Sequence, residues 1–328
     1  MSDEEDELPT SVIIFPMLNS QLSFAIGLYS FCSSTLIVIN KLAVHYIPSV
    51  CFVLLIQFVA SVIAVKFLGR KWPQQIPVEP LEPTKIRAFG GVVAIFCLCL
   101  WTNMKALRYV NVEMVIVFRA CSPIAVSLLD YQYLGRDLPS AKSALSMVGI
   151  ALGSVVYFVF EKASETRGLF WAGFYFVTIV TEMAFVKHIL ETVQMTTWTR
   201  VYYNNALSIP FIIVLGIFSG DFFQLVETRL GLPGLFSLGL ASAVGVLMSY
   251  AGFNLRDQVS ATSFTVIGVL CKLATLLINH FLWEKHSNFG GYVGLVICIL
   301  AGCFYEQAKK RPLENKEDLE LDGINAKE

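Results

Sequence analysis

The chain has 328 residues, of which 55% are hydrophobic and only 15% are Asp, Glu, Lys or Arg. Globular chains carry about a quarter charged residues, so no soluble packing hides this much apolar surface; the mean hydropathy of +0.65 agrees. A formal net charge of −1 leaves no basic footprint for nucleic acid.

The chain opens on an acidic tail, Met1-Ser2-Asp3-Glu4-Glu5-Asp6-Glu7. That pattern matches neither a signal peptide nor an Arg-rich transit peptide, and residues 1–20 are expected as a cytosolic tail. Ten apolar stretches follow, at 21–44, 49–69, 88–107, 109–130, 141–160, 168–190, 200–219, 234–255, 259–283 and 288–307. Each is near the 20 or so residues needed to cross about 30 Å of hydrocarbon. They are too long for barrel strands, and helices satisfy their own backbone hydrogen bonds in lipid. The expectation is an all-α polytopic membrane protein, with one ten-helix domain over 21–307 in halves of about 21–160 and 168–307. Short connections, as at Ile47-Pro48 and Glu284-Lys285-His286-Ser287, make neighbouring helices antiparallel. Residues 308–328 are polar and charged and read as a disordered tail, with Lys309-Lys310-Arg311 at the headgroups.

Ten crossings put both termini on one side. Of the 24 Lys and Arg, thirteen fall in the termini and even-numbered loops, Arg200 and Arg256 among them, and six in odd-numbered loops. The bias predicts cytosolic termini. All eight Cys lie within predicted spans, and no CxxC or Cys/His cluster exists. A disulfide framework and a metal site are therefore not expected, nor is any cofactor.

Segments 111–139 and 260–288 superpose at an offset of 149 residues, which lays Asp130 on Asn279 and Arg136 on Lys285. Two halves of five spans each must lie in opposite orientations, the inverted repeat that secondary transporters use to place substrate near the bilayer midplane.

Charges inside spans are costly and usually face a cavity or a partner. Lys41, Lys66 and Lys187 lie near span ends, where snorkelling to the interface accounts for them. Arg119 and Lys272 sit near the middle of the fourth and ninth spans, and nearby carboxylates are limited to Glu113, Asp130 and Glu182. Two deep cations with few carboxylates point to an anionic ligand such as a phosphate or diphosphate; a buried Arg119–Glu182 or Lys272–Glu182 pair is the alternative. The seventh span opens with Tyr202-Tyr203-Asn204-Asn205. An amide donates and accepts in one plane, which suits a nucleobase edge, and an aromatic ring supplies a stacking face. Asn pairs also serve as interhelical glue. Ser249 and Tyr250 add hydrogen-bonding groups on the eighth span.

With these residues in place, the chain resembles the nucleotide-sugar transporters of the drug/metabolite transporter superfamily over about residues 21–308. Tyr202-Tyr203-Asn204-Asn205 resembles the Phe-Tyr-Asn-Asn motif of GDP-sugar transporters, and Gly268-Val269-Leu270-Cys271-Lys272 resembles their Gly-Ala-Leu-Asn-Lys motif. Val117-Phe118-Arg119, Thr181-Glu182-Met183 and the run from Ser260 to Val266 are most similar to the plant GDP-fucose and GDP-mannose group. The resemblance implies ten helices in two inverted five-helix repeats. It implies exchange of a cytosolic GDP-sugar for a lumenal nucleoside monophosphate, GMP, by alternating access in the Golgi membrane or, failing that, the endoplasmic reticulum. A homodimer is compatible with it.

By the same resemblance Asn204 and Asn205 hold the base, with Tyr203 and Ser249 beside them. Gly268, Cys271 and Lys272 line the sugar and phosphate end, and Arg119 matches a basic residue of the fourth span. Two departures stand out: Cys271 replaces the motif's Asn, and Tyr202 replaces its Phe. The first bears on which sugar is carried. A UDP-sugar or sugar-phosphate carrier of the same fold is the alternative. An intramembrane lipid-modifying enzyme is a second alternative, though the spans contain no catalytic or metal-ligand constellation to run one.

Overall fold

The computed structural model describes residues 20–109, 112–160, 166–225, 231–282 and 289–310. The described residues form ten α-helices: α1 (Ser20–Tyr46), α2 (Val50–Lys71), α3 (Pro83–Tyr109), α4 (Val112–Tyr133), α5 (Ala141–Phe160), α6 (Thr166–Thr192), α7 (Thr197–Phe218), α8 (Leu232–Gln258), α9 (Ala261–Leu282) and α10 (Phe289–Gly302). A 3₁₀ turn, Asp221–Leu225, lies between α7 and α8. Six helices (α1, α2, α3, α6, α7 and α8) are long and apolar enough to cross a membrane, judged on the described residues. The apolar stretches Ala141–Val156 and Ala261–Cys271, in α5 and α9, are shorter. Large apolar side chains such as Phe24, Phe31, Phe67, Phe170 and Phe236 project outward, more than 60% exposed, as lipid contact requires.

Helix starts are set by local hydrogen-bonding chemistry. Ser49 caps α2 by accepting from the Phe52 amide at 3.3 Å, and Asp221 Oδ2 accepts from both the Ser49 hydroxyl (2.9 Å) and the Cys51 amide (2.6 Å). Thr196 does the same for α7 through the Thr199 amide at 3.2 Å. These side chains satisfy amides that have no partner within the helix. α3 starts at Pro83, a residue suited to a first helical position because its missing N–H is not needed there.

One boundary departs from expectation. The last apolar run predicts a helix to 307, but α10 ends at Gly302 and residues 303–310 turn back along the α4–α5 connection. The Asp137 amide donates to the Lys309 carbonyl at 3.0 Å, and Ser143 Oγ bridges the carbonyl (2.8 Å) and amide (3.1 Å) of Glu306. Backbone groups that leave a helix must find other partners, and this connection supplies them. Residues 308–310, expected as the beginning of a loose tail, are therefore docked; the rest of that tail lies outside the described residues.

The principal contacts pair α5 with α10, α1 with α8, α3 with α6 and α2 with α7, while α4 touches α5, α6 and α9. Several pairs run antiparallel. Along α4 and α9, Asp130 meets Thr262 and Arg119 meets Gly268. Along α5 and α10, Ser146 meets Ala301 and Gly153 meets Gly294 and Cys298. Small residues let α5 and α10 approach closely: a Cβ on Gly153 would lie 2.8 Å from the Gly294 carbonyl oxygen. Between α3 and α6, the Thr102 and Thr178 hydroxyls share a hydrogen bond of 2.9 Å, and Trp101 meets Trp171 edge to face at 5.5 Å.

Candidate functional site

A cavity of about 280 Å³ lies inside the bundle, walled by α1–α4 and α6–α9 and, among the described residues, by nothing from α5 or α10. The α1 and α8 walls are each one face of a helix at three- and four-residue spacing: Tyr29, Ser33, Leu36 and Asn40 on α1, and Gly245, Met248, Ser249, Gly252, Phe253 and Arg256 on α8. At 1.5 Å per residue the α8 stripe runs about 16 Å.

Asn204 and Asn205 line the cavity from α7 with Ser249 facing them from α8. Asn205 Nδ2 donates to the Val201 carbonyl at 2.8 Å and approaches Ser249 Oγ at 3.5 Å. Gln57 Nε2 donates to Asn40 Oδ1 at 2.8 Å, and Asn103 presents a buried Oδ1 without a partner.

Arg119 enters from α4. Its place in the helix is shaped by Pro123, which has no N–H to give the Arg119 carbonyl four residues earlier. Ser122 Oγ takes that carbonyl instead at 2.5 Å. The guanidinium Nη1 donates to Tyr175 Oη at 3.2 Å, and its Nε is buried without a partner. Among the described residues no carboxylate pairs with it. Gly268 of α9 backs this group: a Cβ there would stand 3.3 Å from both Arg119 Nη2 and Tyr29 Oη. The Tyr29 ring in turn packs on Phe264 with centroids 5.0 Å apart.

The carboxylate suggested by sequence as a partner for Arg119 or Lys272 is taken by another cation. Arg256 Nη2 donates to Glu182 Oε1 at 2.8 Å and Oε2 at 3.2 Å, with its guanidinium 4.5 Å over the Phe264 ring. Charge counting assigned Arg256 to a loop because the apolar run ends at 255. In fact α8 continues to Gln258 and turns Arg256 into the cavity. Its spacing of seven from Ser249 and four from Gly252 was the signal available in the sequence. Lys187 does not snorkel: it is buried, and its Nζ donates to the Arg256 carbonyl at 2.8 Å. A cation on the last carbonyls of a helix is favourable there. Arg200, likewise counted as a loop residue, is buried in α7 and pairs with Asp257.

Of the other residues singled out by sequence, Tyr203 points away from the cavity. Its hydroxyl donates to the Pro80 carbonyl at 2.5 Å and accepts from the Glu82 amide at 2.8 Å, fixing the segment before α3. Cys271 is buried, with Sγ 2.9 Å from Ser30 Oγ. Lys272 is on α9, but its side chain lies outside the described residues, as do those of Lys41 and Glu113.

Residues 22–159 match the EamA-like transporter family. The GDP-fucose transporter 1 of Arabidopsis thaliana is 37% identical over 308 residues, covering 90% of this chain and 89% of the relative. The chain belongs to the nucleotide-sugar transporters of the drug/metabolite transporter superfamily. The GDP-mannose transporter GONST3 of the same plant is 30% identical over 88% of this chain and 79% of its own length. A solved crystal structure with 12% identity shares the fold, with a TM-score of 0.63 over 87% of this chain and 98% of that one. As a nucleotide-sugar transporter the chain is a multi-pass membrane protein and not an enzyme. The cavity walls thus belong to a protein that moves its substrate unchanged.

Proposed function

We propose that the protein exchanges a cytosolic GDP-sugar, GDP-fucose or GDP-mannose, for lumenal GMP by alternating access in the Golgi membrane, with both termini cytosolic. The observation that carries this reading is the pairing, in one cavity, of two amides with a guanidinium that no described carboxylate neutralises. Asn204, Asn205 and Ser249 would hold the guanine edge by in-plane hydrogen bonds. Arg119, with Lys272 from α9, would hold the diphosphate, since charge-assisted bonds from a guanidinium to phosphate are short and strong. Gly268 gives Arg119 its room, and Cys271 and Phe264 border the sugar end. The plant relatives, named for GDP-fucose and GDP-mannose, support guanine as the base.

Alternating access would follow from two inverted repeats. Two features support that reading. Counting α1–α5 against α6–α10, the counterpart pairs α4/α9 and α5/α10 run antiparallel. The contacts of α1 with α8, α2 with α8 and α4 with α5 also each have a counterpart, in α6 with α3, α7 with α3 and α9 with α10. A rocking of one half against the other would expose the cavity to each side in turn.

The test is uptake into proteoliposomes preloaded with GMP or UMP, across a panel of GDP- and UDP-sugars. GMP preloading is expected to stimulate uptake of a GDP-sugar. Uptake that ignores preloading, or that follows UMP and UDP-sugars, would remove this reading.

A further inference from the structure

The exchange proposed above uses Arg119 and Lys272, yet a second guanidinium stands in the same wall. Arg256 is largely buried and bonded through Nη2 to both oxygens of Glu182, while its Nε is buried with no partner. Arg119 has the same orphaned Nε. A guanidinium has five N–H donors in a fixed fork, so both arginines hold donor capacity that the protein itself leaves unused. Between them stand two aromatic rings: Tyr29, whose hydroxyl is beside Arg119 at Gly268, and Phe264, whose face carries Arg256. The four side chains form one row along the cavity.

A structural ion pair is a weak account of this arrangement. Burying two charges costs about as much as their attraction returns. The end of α8 is already tied to α6 by Lys187 Nζ on the Arg256 carbonyl, which does not need the arginine side chain. Both Arg256 and Glu182 line the cavity.

We infer that Arg256 is a second phosphate-binding group and that Glu182 is the counterion that holds it between cargo molecules. The inference rests on the exchange reading and deepens it. In the conformation described, the Glu182 carboxylate occupies the position on Arg256 that a phosphate oxygen takes when cargo is bound. A phosphate monoester carries a charge of about −1.5 to −2 at neutral pH, against −1 for a carboxylate. Once the base contacts have brought it into the cavity, phosphate displaces Glu182 from the guanidinium. Without cargo the pair closes again, so that Arg256 is not left without a counterion.

The experiment measures binding of GMP and of guanosine to the purified full chain in detergent, for the wild type, Glu182→Gln, Arg256→Gln and the double variant. Guanosine has the base and ribose but no phosphate, so a merely structural effect moves both ligands together. Glu182→Gln is expected to tighten GMP about fivefold to tenfold, because the competitor for a charge-assisted bond is gone. Arg256→Gln is expected to weaken GMP on the order of tenfold, with guanosine unchanged in both variants. Should Arg256→Gln misfold because Glu182 is left unpaired, the double amide variant carries the same expectation of weakened GMP. If the GMP-to-guanosine ratio stays at the wild-type value, the assignment of Arg256 is overturned while the exchange reading stands. If the wild type binds neither GMP nor a GDP-sugar, the exchange reading falls and this inference falls with it.

Discussion

Asp130, in the last turn of α4, caps the first turn of α9 through Thr262: its Oδ2 accepts from the Thr262 amide at 2.9 Å and from the Thr262 hydroxyl at 2.6 Å. Ser260 caps the same turn through the Ser263 amide at 3.0 Å. One carboxylate thus joins the two halves of the chain at the end where α4 finishes and α9 begins. Asp130→Ala removes an acceptor from two buried donors and should cost about 2–3 kcal/mol. A lower thermal midpoint in detergent would record it. Asp130→Asn keeps one oxygen able to accept both bonds and loses only the charge that strengthens them, so its loss should be smaller. Equal losses for Ala and Asn would mean that charge, and not the capping geometry, is what matters.

Close approach of α5 and α10 depends on Gly153. A Cβ there would meet Cys298 Sγ at 2.7 Å and the Cys298 amide nitrogen at 2.9 Å, so a branched side chain must force the two helices apart. Gly153→Val is expected to destabilise the bundle by about 3 kcal/mol or more, in the upper range for overpacking. Gly173 in α6 is the control, because nothing lies within 4 Å of its added Cβ. Gly173→Ala should leave stability unchanged or raise it slightly, by up to about 1 kcal/mol. Similar thermal midpoints for the two variants would show that the α5–α10 seam tolerates separation.

Tyr203, the second tyrosine of the Tyr202-Tyr203-Asn204-Asn205 run, makes a separable prediction. Tyr203 is fully buried, with both hydroxyl bonds going to the segment before α3. Tyr203→Phe should cost about 1–2 kcal/mol of stability, from a lost bond and a Pro80 carbonyl left without its donor. GMP affinity and guanine preference should not change. A large drop in GMP affinity at unchanged stability would place Tyr203 against the base after all.

Helix number and approximate ends were legible because apolar runs of span length carry their own signal. The exceptions have physical causes. Apolarity stops at 255, but α8 continues to Gln258, because Asp257 pairs with Arg200 and the Arg256 carbonyl accepts from Lys187, so this turn stays helical without water. Past Gly302 the sequence stays apolar to Tyr305, yet the chain leaves the helix because Ser143 and the Asp137 amide offer it other partners. At the site, Arg119, Asn204, Asn205 and Ser249 could be singled out as polar groups in apolar stretches, and they do face one cavity. Which charge pairs with which was beyond reach of the sequence. Glu182 lies 74 positions from Arg256, and only the packing of α6 against α8 and α9 brings them together.

Arg119 gives the sharpest contrast between stability and function. Its charge is buried, its Nε has no partner, and among the described residues its one side-chain hydrogen bond goes to the hydroxyl of Tyr175. A residue held for folding would not be left this way, since a buried charge without a counterion carries a desolvation cost that an apolar side chain of similar length avoids. Arg119→Met should therefore keep or raise the thermal midpoint while GMP-stimulated uptake is lost. Arg119→Lys keeps the charge but not the planar fork, so uptake should fall about tenfold or more. Tyr175→Phe removes only the hydroxyl and should cost uptake about tenfold or more, in line with one hydrogen bond to a charged group of roughly 1.5–3 kcal/mol. If Arg119→Met instead unfolds the bundle, Arg119 is a structural pivot between α4 and α6. If it folds and transports at the wild-type rate, the phosphate contact must be made elsewhere in the cavity.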